Sequence, residues 1–75
     1  MAKYFEYRRI RIRVAMTGMG TIEICGQSGK YDGFTTESND TEIIDFCDED
    51  TKKGQEMRRA AYNKLREYYN YYISI

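Results

Sequence analysis

Arg9-Ile10-Arg11-Ile12-Arg13-Val14-Ala15-Met16 alternates basic and apolar side chains, and this stretch decides the fold. Successive side chains of an extended strand point to opposite faces. The stretch therefore has one apolar face, Ile10, Ile12, Val14 and Met16, and one basic face, Arg9, Arg11 and Arg13. Upstream the phase slips, because Phe5 and Tyr7 fall on the arginine side. A bulge near Arg8-Arg9 within a single strand over about 4–16 brings both aromatics back to the core. The alternative is a strand with both faces partly covered.

Thr17-Gly18-Met19-Gly20 reads as a turn. Residues 21–26 follow as a second strand with Ile22 and Ile24 on one face. Joining the two apolar sets requires even residues opposite even ones. One such register sets Val14 against Ile22 and Arg13 against Glu23. Tyr31-Asp32-Gly33-Phe34 reads as a type I′ hairpin turn with a cross-strand aromatic pair, leading into a strand over 34–38. Glu42-Ile43-Ile44-Asp45-Phe46-Cys47 is apolar and β-favouring and reads as a fourth strand. Its alternative is a short helical turn capped by Asn39 or Asp40.

A helix over about 51–72 closes the chain, with Asp50 or Thr51 as N-cap. Lys52 and Lys53 beside the positive end of the helix dipole are mildly unfavourable, so capping is the stronger start signal. At helical spacing Met57, Ala60, Ala61, Leu65, Tyr68, Tyr71, Tyr72 and Ile75 share the face expected to cover the sheet, with Lys64 inside that arc. Lys64 is expected to snorkel past its neighbours or to pair with Asp45. The expected fold is α+β: a small antiparallel meander of three to four strands under one long C-terminal helix, in a single domain over 1–75.

Composition excludes much chemistry. Twelve basic residues balance twelve acidic ones, so no net charge steers the chain to nucleic acid or anionic lipid. Without histidine there is no His-based general base, and no other activating base is marked beside a serine or cysteine. Catalysis is therefore not expected, nor is any cofactor. Cys25 and Cys47 are too few for a structural zinc site and read as reduced thiols. No metal is expected. The first residues lack the apolar run of a signal peptide, and no stretch has the length of a membrane span, so the expected location is cytoplasmic. Gly26-Gln27-Ser28-Gly29-Lys30 fails as a P-loop, because Ile24 takes the first glycine position and Tyr31 replaces Ser/Thr.

Three surfaces remain. Arg8, Arg9, Arg11 and Arg13 form a basic run beside Tyr4, Phe5 and Tyr7. Alternate residues of a strand lie about 7 Å apart, close to the phosphate spacing along one nucleic-acid strand. The run therefore suits phosphates or an acidic partner, unless it is paired internally with Glu23 or Glu42. Asp45, Asp48, Glu49 and Asp50 end an acidic stretch that lacks the EF-hand spacing and suits a basic partner. Finally, Tyr62, Tyr69 and Ile73 fall on a second helix strip, about 100–140° from the core face. One helix buries one broad face against a small sheet, so this strip is expected at an interface, most simply with a second copy. The leading expectation is a non-catalytic protein-interaction module that self-associates and binds a larger macromolecule, as an inhibitor or accessory protein does. Its scale suits a phage or mobile-element accessory protein. The alternative is a nucleic-acid-binding domain using the arginine strand, and the third reading is a small-ligand-binding oligomer.

Overall fold

The structure, a computed structural model, describes residues 1–74. It is an α+β fold, an antiparallel meander with a long C-terminal helix packed on one face. The strands are β1 (Ala2–Tyr7), β2 (Ile10–Met16), β3 (Ile22–Gly26) and β4 (Thr35–Ser38), in the spatial order β1-β2-β3-β4. Two helices follow, α1 (Glu42–Phe46) and α2 (Lys52–Ile73).

The expected long first strand is two strands. Its phase slip is a chain reversal and not a bulge. Arg8 and Arg9 form the turn between β1 and β2, both in the left-handed region at φ 51° and 66°. Positive φ at both central residues is the mark of a type I′ hairpin turn, normally given to Asn-Gly or Gly-Gly. For residues carrying a Cβ this backbone costs roughly 1–2 kcal/mol each. The reversal pairs Phe5 with Ile12 and Tyr7 with Ile10. Cross-strand partners share a face, so both aromatics join the isoleucines on the side that meets the helix.

Between β2 and β3 the parity is as expected, but the register differs by two residues. Val14 pairs with Ile24, Met16 with Ile22 and Arg13 with Cys25, while Glu23 faces Ala15. The turn is centred one residue later than that register needs: the Thr17 N–H donates to the Thr21 carbonyl at 2.9 Å around Gly18-Met19-Gly20, and the two threonine hydroxyls lie 2.8 Å apart.

Residues 27–34 do not form a tight hairpin. Gly29–Tyr31 is a 3-10 turn, and the Phe34 N–H then donates to the Tyr31 carbonyl across Asp32-Gly33. Asp32 at φ −57°, ψ 124° followed by Gly33 at φ 85° is a type II turn, not type I′. Tyr31 consequently lies in no strand, and its ring enters the core. A Cβ on Gly26 would overlap the Tyr31 backbone carbonyl, so glycine there lets this loop tuck under the sheet.

Residues 42–46 are helical, correcting the expected fourth strand. Ile43, Ile44 and Cys47 are all buried. In a strand Ile43 and Ile44 would face opposite ways, whereas in a helix both share a face with Cys47, four and three residues on. Thr41 stands at its N-cap with no side-chain bond, rather than Asn39 or Asp40.

Thr51 caps α2, its hydroxyl accepting from the Gly54 N–H at 3.0 Å. Arg58 donates to the Cys47 and Glu49 carbonyls at 2.9 and 2.8 Å, satisfying the end of α1. Gly54 fits where a Cβ would overlap the Glu49 carbonyl. This corner fixes the angle at which α2 crosses the sheet. The core beneath it contains Ile12, Val14, Ile22, Ile24, Ile43, Ile44, Ala61 and Leu65, closed by Tyr31 and Tyr62.

Candidate protein interface

The face that α2 buries is centred between Ala61-Leu65 and Tyr62-Tyr69, about 70° from the face expected from its apolar residues. Tyr62 is only 9% exposed and Tyr69 is half-buried against the core, which corrects their expected place on an outward strip. Tyr71 and Tyr72, expected inside, are 67% and 57% exposed. Ile73 is 61% exposed. Ile75 lies outside the described residues.

Aromatic contacts run along this boundary from inside to outside. Tyr62 meets Tyr7 at a ring-centroid distance of 5.1 Å and Tyr31 at 5.7 Å. Tyr31 stands edge-on to Tyr69 at 5.1 Å. Phe34 then contacts Tyr69 at 5.0 Å, Tyr72 at 5.3 Å and Tyr68 at 6.2 Å. Such offset and edge-on pairs add to the stabilisation from burial. Among the described residues the buried Tyr31 hydroxyl has no hydrogen-bond partner. Burial, with the neighbouring Tyr62 hydroxyl, pushes its pKa up to about 12, although the two hydroxyls do not reach hydrogen-bonding geometry.

The outer end of this aromatic series is open. Phe34, Thr35, Tyr68 and Tyr72, with Asp32 and Gly33, line a shallow depression. β4 beside it is the last strand of the sheet, with one edge unpaired among the described residues. The helix projects past that edge. It has 22 residues, about 33 Å at 1.5 Å per residue, while strands spaced about 4.8 Å make a four-stranded sheet only about 15 Å across. Tyr68, Tyr71, Tyr72 and Ile73 occupy the overhang. Of the strip expected at an interface, Tyr62, Tyr69 and Ile73, only Ile73 belongs to the overhang. Phe34 was missed, since its part depends on a loop whose path only the structure gives.

The charged residues separate by place. Arg8 and Arg9 occupy the hairpin tip, while Arg11 and Arg13 lie on the sheet face opposite the helices, with the Arg11 guanidinium 5.5 Å from the Tyr4 ring centroid. Arg59 reaches the Tyr7 hydroxyl at 3.4 Å and lowers its pKa. Among the described residues none of these arginines is within salt-bridge distance of a carboxylate. Glu42 instead pairs with Lys53 at 3.2 Å, and Asp48 with Lys3 at 3.0 Å, which holds the Asp48 pKa below its ordinary value. Asp45, Glu49 and Asp50 are exposed on and after α1. Lys64 does not pair with Asp45. It lines a second open depression with Thr21, Glu37, Ser38, Asn39 and Asp40. Cys25 and Cys47 are free, and burial raises the Cys47 thiol pKa. Among the described residues no three His, Cys, Asp or Glu side chains converge on a common point, and no helix is long and apolar enough to cross a membrane.

Comparison with protein-family models, curated proteins and solved structures found no match.

Proposed function

We propose that this chain is a non-catalytic protein-interaction module that self-associates through the outer turns of α2. The observation carrying this reading is that Tyr68, Tyr71, Tyr72 and Ile73 stay 36–67% exposed on an ordered helix while its inner turns are buried. Exposed aromatic and aliphatic side chains grouped on a rigid element resemble the centre of a protein interface more than a solvated surface. A second copy is the occupant best supported. The overhang pairs a protruding helix end with the depression at Phe34 and Thr35, so two copies related by a two-fold axis present the same protrusion and recess to each other. A chain of 75 residues also has a small core, and association extends it.

Light scattering on the parent and on Tyr72→Ser/Ile73→Ser tests the proposal. The parent is expected at a multiple of the 8.9 kDa chain mass, and the double variant near that mass with an unchanged far-ultraviolet circular dichroism spectrum. A parent that remains at the single-chain mass at about 100 µM, where contacts of micromolar affinity would be populated, would exclude self-association.

A further inference from the structure

We propose that the tip of the β1–β2 hairpin and the adjoining open sheet face form a docking surface for the phosphate backbone of a single-stranded nucleic acid. Three independent observations lead to it. First, the tip departs from the residues its own geometry favours. Arg8 and Arg9 both hold positive φ in a two-residue turn where Asn-Gly or Gly-Gly is the relaxed choice. An unfavourable backbone kept in a folded protein suggests that the side chains serve a purpose other than stability.

Second, the cations here are unneutralised. Arg8, Arg9, Arg11, Arg13 and Arg59 have no carboxylate within salt-bridge distance among the described residues, although Glu6 stands opposite Arg11 in the register. The acids that balance them in sequence lie elsewhere. Asp45 and Asp48 gather around Lys3, five residues from Arg8 along β1, or about 16 Å of strand. The zero net charge therefore conceals two poles.

Third, the open face has the arrangement of a stacking track. Across the sheet it presents Glu6 and Arg11 nearest the tip, then Tyr4, Arg13, Cys25 and Thr35, then Ala2, Ala15, Glu23 and Glu37. Both helices pack on the opposite face. Its charge thus runs from basic at the tip to acidic at the far end. Tyr4 is 50% exposed and stands directly opposite Arg13, with Arg11 of the neighbouring row over its ring. Arginines that neutralise phosphates beside an aromatic face that stacks a base are the elements of single-strand recognition. An acidic protein would use the charge but has no need of Tyr4, which is why a nucleic acid is the favoured partner. This surface lies at the β1 edge, across the sheet from the aromatic overhang beside β4, so one chain can use both.

Fluorescence anisotropy of a labelled oligothymidylate, with labelled polyglutamate in parallel, tests the proposal on the full chain. With a slope of about −0.7 per neutralised phosphate, four contacts predict about a fiftyfold loss of affinity between about 50 and about 200 mM salt. Arg8→Asn/Arg9→Gly installs the relaxed turn pair and removes two cations. It is expected to melt at a higher temperature than the parent, to bind more weakly, and to show only about a sevenfold salt dependence. Tyr4→Ala is expected to lose at least about fivefold in affinity from the missing stack. The proposal is overturned if the oligonucleotide does not bind, if binding ignores salt, or if Arg8→Asn/Arg9→Gly keeps the parent affinity and slope. Unchanged affinity in Tyr4→Ala would overturn the open-face track. Binding to polyglutamate with none to oligothymidylate would assign an acidic protein as partner instead.

Discussion

Tyr62 and Tyr72 are the same side chain on the same helix, yet one is 9% exposed and the other 57%. Tyr62 lies over the sheet with Tyr7 and Tyr31 against its ring, whereas Tyr72 lies past the last strand, its ring against Phe34 and Tyr68 at the rim of an open depression. Residue type does not set the difference, because a tyrosine suits either place with its apolar ring and polar tip. The width of the sheet sets it. The inner turns of α2 hold the fold together and the outer turns remain available, so a substitution should affect stability at one end and association at the other.

The largest effect is expected at the inner end. Tyr62→Ala should cost about 3–5 kcal/mol and Leu65→Ala about 2–5 kcal/mol, since each leaves a cavity in a closely packed core. Chemical denaturation measures both. Tyr72→Ala, by contrast, should stay within about 0.5 kcal/mol of the parent under conditions where the chain is a monomer. If Tyr62→Ala and Tyr72→Ala proved equally costly, the division between inner and outer turns would be lost.

Next in size is Gly54→Ala. A methyl group there meets the Glu49 backbone, which has no room to yield at the α1–α2 corner. A loss of about 2–3 kcal/mol is expected in spite of alanine's better helix propensity. A neutral or stabilising result would mean that the corner does not set the crossing angle of α2.

Tyr31→Phe should act in the opposite sense. It removes a buried hydroxyl with no hydrogen-bond partner among the described residues and keeps the ring contacts, so stability should rise by up to about 1 kcal/mol. The alkaline side offers a second readout. The folded pKa of Tyr31 is about 12 against an ordinary value of 10.0, so the folded chain retains a proton that the unfolded chain releases. The parent's stability should be full below pH 10 and fall as the pH rises toward 12. In Tyr31→Phe this part of the decline should vanish, along with the latest tyrosinate step in an ultraviolet titration. A hydroxyl that titrates with the exposed tyrosines would contradict its burial.

How much of this was legible in sequence depended on whether a pattern was local. Alternation in Ile10–Met16, the Thr51 cap and the length of α2 are local features, and each stands in the structure. The slip at Phe5 and Tyr7 was visible, but a bulge and a reversal produce the same change of phase. Two arginines are poor candidates for a turn that needs positive φ, so propensity favoured the bulge. Ile43, Ile44 and Cys47 carried a helical spacing that strand propensity outweighed. The orientation of α2 was the hardest element. Tyr68, Tyr71 and Tyr72 pulled the apolar direction of the helix toward themselves, although the sheet is too narrow to reach them. Only the positions of Tyr31 and Phe34, set by the loop after β3, reveal which strip of the helix is covered.

Isotope-filtered nuclear Overhauser spectroscopy on an equal mixture of labelled and unlabelled chains distinguishes association through the outer turns of α2 from contacts made elsewhere. Intermolecular contacts are expected from the Ile73 methyls and the Tyr72 ring, strengthening with concentration, and none from Tyr62 or Leu65. A spectrum whose intermolecular contacts come from other surfaces, or which shows none while Ile73 and Tyr72 remain solvent-exposed at about 1 mM, would contradict association through those turns.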